Sequence, residues 1–188
     1  MIPYEKCPSY EGENYLVRKL EVRDTSDLLN VYSDEKAVPL FNSDNCNGDD
    51  FHYTSLERMQ QAVEFWLWSY TNKYFVRFSI IDKRIQKVIG TIELFHRDSK
   101  DYFNRCGLLR LDLKSDYEKE KPISEILSLI VPPAYDLFDC DMVATKIPTF
   151  AGERKAAAVQ NGFFATDKAL VGGDDGKIYT NYDVRLRI

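Results

Sequence analysis

Few residues in this chain are placed to do chemistry, and the clearest is a carboxylate on a strand. In Val88–His96, Glu93 falls with Thr91 and Phe95 on the face opposite Ile92 and Leu94. A carboxyl group partly desolvated on such a face has its pKa raised toward the range useful to a general base. The alternative, more common for a Glu in a strand, is a charged residue on the wet face of the sheet or one paired with Arg110. Asp112, in Leu109-Arg-Leu-Asp-Leu113, is a second candidate that equally suits a structural role at the strand end. His96 could serve as a base near neutral pH, although a lone histidine at a strand end is more often a surface residue. His52 sits in a polar loop with less to support it. Phe65, Trp66, Trp68 and Tyr70 could line a pocket, but one turn of that set is needed for core.

Other chemistries are poorly supported. Cys7, Cys46, Cys106 and Cys140 lie more than thirty residues apart, with no C-x-x-C and only two histidines. Zinc sites and Cys/His nucleophile pairs need closer or better-matched sets, so reduced thiols, some of them buried, are expected. The 25 Lys and Arg against 30 Asp and Glu give a net charge of −5, without the basic footprint of a phosphate-binding nucleic-acid partner. No apolar run reaches the roughly 18 residues of a membrane span, and MIPYEKCPSY has no apolar signal core. A cytoplasmic protein with no nucleic-acid or membrane partner is expected. With 188 residues, including 12 Tyr, 11 Phe and 2 Trp, the chain can fill a substantial core.

The elements that would position Glu93 follow from periodicity. Tyr15–Val22 reads as a strand, and Asp24–Asp27 caps a helix carrying Leu28, Leu29 and Tyr32. Asn42–Asp50 reads as a mobile loop. The spacing Thr54-Ser-Leu-Glu57 predicts a capping box for a helix with Leu56, Met59, Val63, Trp66, Leu67 and Tyr70. Tyr74–Ile81 and Val88–His96 alternate as an antiparallel hairpin, and Cys106–Leu113 is a further strand. Ser124–Val131 reads as a short helix stopped or kinked by Pro132-Pro133, with a second around Tyr135–Phe138. Met142–Ile147 is a strand, and Gly152–Asn161 a helix ended by Gly162. Phe163–Leu170 and Lys177–Ile188 form a final hairpin. Seven strands and four or five helices predict one mixed α/β (α+β) domain over 1–188. Its seven-stranded, mostly antiparallel sheet is flanked by helices.

This order, with its landmarks, resembles the GNAT superfamily of acetyl-CoA-dependent acyltransferases, in the branch that acetylates ribosomal-protein N-termini. Four stretches carry the resemblance, which runs from about Tyr15 to the C-terminus: Leu16–Leu29, Gly90-Thr-Ile-Glu-Leu94, Leu109–Tyr117 and Ala156-Ala-Ala-Val-Gln-Asn-Gly-Phe163. It implies one parallel pair, Cys106–Leu113 beside Met142–Ile147, splayed so that a pantetheine arm lies between the strands. The pyrophosphate of acetyl-CoA would then sit on the next helix N-terminus, where unpaired N–H groups favour an anion. The cofactor-binding residues so implied are Leu111, Asp112, Leu113, Glu118, Lys119, Glu120, Lys121, Ile123 and Ser124.

The chain departs from the family loop, Gln/Arg-x-x-Gly-x-Gly/Ala. Glu118 replaces Gln/Arg, Lys121 the first glycine and Ile123 the last small residue, and Pro122 removes a donor. Lys119 and Lys121 could offset the two acids as point charges. Ala151 stands where the family often has an Asn, and the late helix lacks the Tyr that protonates the leaving thiolate in many members. Tyr179 and Tyr182 could approach instead. The resemblance thus implies Glu93 as base and Tyr179 as acid of an N-acetyltransferase acting on a primary amine of a small molecule or peptide. A homodimer through exposed strand ends is compatible with it. A degenerate GNAT-fold binding or interaction module is the alternative, and an RNA- or ribosome-associated role is disfavoured by the acidic balance.

Overall fold

Alternation in the middle of the chain builds the centre of the sheet. The computed structural model describes residues 3–187. In it β1 (Tyr10–Glu11), β2 (Tyr15–Lys19), β3 (Val76–Asp82), β4 (Lys87–Arg97) and β5 (Cys106–Leu113) run antiparallel, each beside the next. β6 (Met142–Lys146), β7 (Phe164–Ala165), β8 (Leu170–Val171), β9 (Ile178–Tyr179) and β10 (Tyr182–Leu186) follow. The main sheet has the order β1-β2-β3-β4-β5-β6-β10-β7, and β8 and β9 pair separately. Its one parallel pair is β5 with β6; the other pairs are antiparallel.

Helices cover both faces. α1 (Thr25–Tyr32) and α2 (Leu56–Thr71) bury Leu28, Val31, Met59, Val63 and Trp66 with Ile81 and Val88. α3 (Glu120–Leu137) and α4 (Gly152–Gln160) bury Ile126, Ile130, Ala157 and Ala158 against Phe78, Ile92, Leu109 and Leu111 on the other face. The β3–β4 register shifts at Ile80/Ile81, and Gly90 sits at this irregularity. A Cβ on Gly90 would lie 2.2 Å from the Asp112 carbonyl oxygen, so the close approach of β4 to β5 needs glycine there.

Five expectations are corrected. The main sheet has eight strands among the described residues, not seven, because Tyr10–Glu11 adds an edge strand beside β2. α2 is capped one residue later than Thr54: the Ser55 hydroxyl accepts from the Arg58 N–H at 3.2 Å. Pro132-Pro133 does not end α3, which continues to Leu137. Pro132 is exposed and Pro133 half-buried, while Ile126, Ile130, Val131, Ala134 and Tyr135 bury along the opposite side. Each large apolar side chain contributes about 1.5–3 kcal/mol, and together they outweigh a cost of about 3 kcal/mol per interior proline. The final hairpin is divided: β7 pairs with β10 and β8 with β9, the break falling at Asn181 with φ 66°. The Asn42–Asp50 loop is pinned, because buried Asp44 accepts from Lys146 Nζ at 2.5 Å and from Tyr182 Oη at 3.1 Å.

Candidate functional site

Sheet register gathers six polar side chains on the face under α1 and α2. Arg77 lies opposite Glu93, and Glu93 opposite Arg110; two residues along, Ser79, Thr91 and Asp112 are aligned in the same way. Arg77 Nη2 donates to Glu93 Oε2 at 2.5 Å and Arg110 Nη1 to Glu93 Oε1 at 2.7 Å, so both carboxylate oxygens are engaged. Arg77 Nη1 reaches Tyr32 Oη, Thr91 Oγ1 and Asp112 Oδ2 at 2.9, 3.0 and 3.1 Å. Tyr32 of α1 donates to Asp112 Oδ2 at 2.8 Å. The Arg77 guanidinium lies 4.0 Å from the centre of the Trp66 ring, a cation–π contact away from water.

These contacts set the charge states. Burial pushes the Glu93 pKa up, but Arg110 and Arg77 outweigh it and the net shift is down. The raised value expected for a base on this strand is therefore reversed: Glu93 stays ionised, with no free oxygen. Asp112 moves the other way, because burial exceeds the pull of Arg77. Its Oδ1 has no hydrogen-bond partner. Two guanidiniums serve Glu93 and one reaches Asp112, which accounts for the opposite signs.

Two cavities open beside this ladder. One, of about 460 Å³, is lined by Tyr53, Trp66, Trp68, Phe75, Glu93 and Arg110. The other, of about 870 Å³, includes Asp44, Arg97, Asp101, Leu170 and Tyr182. Asn45, Phe95, Arg110 and Asp174 belong to both walls. Tyr179 is fixed at their margin, where its hydroxyl donates to Asp175 Oδ2 at 2.6 Å and accepts from the Asn45 N–H at 2.9 Å. It is linked to the Glu93 cavity through Asn45, and the structure does not bring the two side chains into contact.

On the far side of β5 the parallel strands part. β5 and β6 are paired from Cys106/Met142 to Leu109/Thr145, and β5 continues unpaired by β6 through Leu113. The wedge so formed is nearly filled. Leu111, Ile123, Thr145, Ile147, Arg154 and Ala158 enclose about 10 Å³, room for about one water. Arg154 makes a two-pronged ion pair with Glu118: Nε donates to Oε2 at 2.8 Å and Nη2 to Oε1.

The other residues of the expected cofactor site are scattered around this wedge. The Leu113 and Ile123 side chains lie in the core, and Asp112 points to the opposite face, into the polar ladder. Lys119 and Lys121 are exposed. The Glu120 N–H donates to Glu153 Oε2 at 2.7 Å, and its carboxylate accepts from Gln160. Ser124 Oγ accepts from Asn161 Nδ2 at 3.0 Å.

The groups at this end that can donate to an anion are a guanidinium, two exposed ammonium groups and a helix-start N–H. Carboxylates of the chain itself occupy two of them, Glu118 on Arg154 and Glu153 on Glu120. In charge and in hydrogen bonding they stand where phosphate oxygens could stand. The residues therefore suit a phosphate-bearing group through exchange of carboxylate for phosphate.

Sequence reasoning missed Arg77, Tyr32, Asp44, Glu153 and Arg154. A signal for Arg77 was present: Arg77 and Ser79, Thr91 and Glu93, and Arg110 and Asp112 are polar pairs two apart inside three apolar strands. Nothing local marked Arg154, whose partner is 36 residues away.

No protein-family model matches the sequence, and no curated protein matches it. Solved structures match by fold. The ribosomal-protein-S5-alanine acetyltransferase from Vibrio fischeri aligns with a TM-score of 0.70 at 16% identity, over 95% of this chain and 96% of its own. A GNAT-family acetyltransferase from Bacillus anthracis gives 0.67 at 13% identity, over 95% and 98%. The microcin C7 self-immunity acetyltransferase MccE, in complex with acetyl-CoA and AMP, gives 0.68 at 12% identity, over 94% of both chains. Identities this low establish architecture and nothing finer. With these likenesses along nearly its whole length, and a parallel pair that parts at Leu109 in an otherwise antiparallel sheet, the chain has the fold of the GNAT acetyltransferases, ribosomal-protein acetyltransferases among them.

Proposed function

We propose that the chain is an N-acetyltransferase, moving the acetyl group of acetyl-CoA to a primary amine of a small molecule or peptide. The parting of β5 from β6 carries this reading. It leaves the β5 edge from Arg110 to Leu113 without a strand neighbour on the β6 side, and Arg110, at the point of parting, lines both cavities. The fold likeness to MccE, whose complex contains acetyl-CoA, supports it.

In this reading the donor's pantetheine arm takes the place of a strand along Leu111–Leu113, and its phosphates meet the Glu118–Ser124 segment. The acceptor amine enters by the aromatic cavity. A C–N bond forms as the C–S bond breaks; the amine gives up a proton and the departing thiolate receives one. Glu93 is a positioning residue, its ionised carboxylate holding Arg110 at the cavity wall and Arg77 in the buried ladder behind it. Tyr179 holds the Asn45 backbone at the margin. Catalysis then rests mainly on bringing amine and thioester together, with water carrying the proton.

The test is turnover of acetyl-CoA with a panel of amines and ribosomal-protein N-terminal peptides, read as free thiol and as acetylated product by mass. Thiol release matched by acetylated product is expected for at least one acceptor. Release no faster than spontaneous hydrolysis across the panel would overturn it. The filled wedge at Glu118 and Arg154 favours a second reading in that event: a catalytically silent GNAT-fold module that binds its ligand in the aromatic cavity.

A further inference from the structure

The Arg154–Glu118 pair is the least expected feature of the cleft. The side chains are 5% and 8% exposed, so two charges have been taken out of water. Such a pair often adds little to stability over an apolar one. It also lies at the wedge left by the diverging strands, where Arg154 closes a space otherwise walled by Leu111, Thr145, Ile147 and Ala158.

We propose that Arg154 is the residue that binds the phosphates of the thioester donor, and that Glu118 is its resident competitor, held on the guanidinium until a phosphate displaces it. The inference rests on the donor assigned above. Three observations support it. The two N–H groups that now meet Glu118 present the planar fork that fits carboxylate and phosphate alike. Arg154 is anchored within α4, whereas Glu118 lies in the two-residue link between the 3-10 turn Ser115–Tyr117 and α3, next to exposed Lys119. A change of the Glu118 side-chain rotamer takes its carboxylate off the guanidinium while the backbone bonds of the link, from the Glu118 N–H to the Ser115 carbonyl and from the Lys119 N–H to the Tyr117 carbonyl, are kept. The exchange also keeps the guanidinium paired throughout, so no charge is left uncompensated in the wedge. In the free protein the guanidinium at the cleft is thus held by one of the chain's own carboxylates.

The experiment is calorimetric titration of the full chain with coenzyme A, and with pantetheine as a phosphate-free probe, for wild type, Glu118→Gln and Arg154→Met. Replacing the charged competitor is expected to tighten coenzyme A binding about tenfold, and removing the guanidinium to weaken it by about tenfold or more, as befits a charge-assisted contact. Pantetheine binding should change much less than coenzyme A binding in both variants, so that the ratio of the two affinities reads the phosphate contact apart from any change in the wall of the wedge. If Arg154→Met does not fold, Glu118→Gln alone decides, because it preserves shape and hydrogen bonding. Coenzyme A binding that is strong in wild type and equal or weaker in Glu118→Gln overturns the inference and leaves the donor assignment standing. Absence of coenzyme A binding at millimolar concentration in both wild type and Glu118→Gln overturns the donor assignment, and the inference with it.

Discussion

Single residues set the charge economy of this molecule, and the signs differ from group to group. Glu93 sits between two guanidiniums with both oxygens bonded. Glu93→Gln leaves buried positive charge uncompensated, and a loss of about 3–5 kcal/mol in urea unfolding is expected. A double variant that also replaces Arg77 by Met should lose less than the two single losses added, since the pair is removed together. Asp82 is held down to about 2 by Arg84 and Tyr117. A depressed carboxylate contributes stability above its unfolded pKa of about 3.9, and that contribution is lost as pH falls through the folded value. Asp24 acts with the same sign: burial raises it, but Arg18 and Ser79 bring it down overall. Asp112, raised by burial, opposes them and favours the folded state when protonated.

His96 is also net raised. Burial lowers it, but Asp98 at 3.0 Å and the Phe138 carbonyl at 2.7 Å from its two ring nitrogens more than compensate. Its contribution is full below about pH 6.5 and is lost as pH rises through the folded pKa. Melting temperature in wild type minus that in His96→Phe should therefore shrink between mildly acid and mildly alkaline buffer; a constant difference would show that the imidazolium contributes nothing. That Glu93 and Arg110 pair could be read from strand alternation. The opposite shifts of Glu93 and Asp112 could not, because they depend on Arg77, Tyr32 and Trp66 arriving from elsewhere in the chain.

At the scale of elements, local signals located segments better than their ends. Cys106–Leu113 has the bounds its alternation predicts, and α4 ends within a residue of them, because both signals are complete within the segment. The cap of α2 slipped from Thr54 to Ser55, since two adjacent hydroxyl residues offer the same chemistry. Ser55→Ala should cost about 1 kcal/mol, and Thr54→Ala much less, by denaturant midpoint. Pro132-Pro133 misled because proline's local cost is fixed while the gain from burying Ile130 and Val131 against the sheet is tertiary. Pro132 is exposed, so Pro132→Ala removes little packing and restores a donor to the Ser128 carbonyl. A stabilisation of about 1–3 kcal/mol is expected; an unchanged midpoint would mean that this carbonyl is as well satisfied by water. The division of the last hairpin hung on one left-handed residue, Asn181, which no alternation pattern reveals.

For the whole molecule, the two larger apolar cores lie on opposite faces of one sheet and share its strands β3 and β4, and a third, smaller one gathers Phe103, Leu108, Ala144, Tyr182 and Val184. Losing either face exposes the other, so near- and far-ultraviolet circular dichroism should report the same urea midpoint. Two separated midpoints would mean that the α1–α2 layer detaches by itself. Among the described residues no helix is long and apolar enough to cross a membrane. The order of elements was enough to reach this architecture, because antiparallel runs followed by a crossover leave few topologies. The wedge was not legible in the same way, since what fills it comes from a helix far along the chain. Midway along the central strands one face is oil, and on the other a ladder of salt linked across three strands is set into the second core. Oil forgives gradual substitution, one methyl group at a time. The ladder does not: any one of Arg77, Glu93 and Arg110 can change only if its neighbours change with it, so as such a chain drifts over generations, these three positions are bound to move as a block or stay where they are.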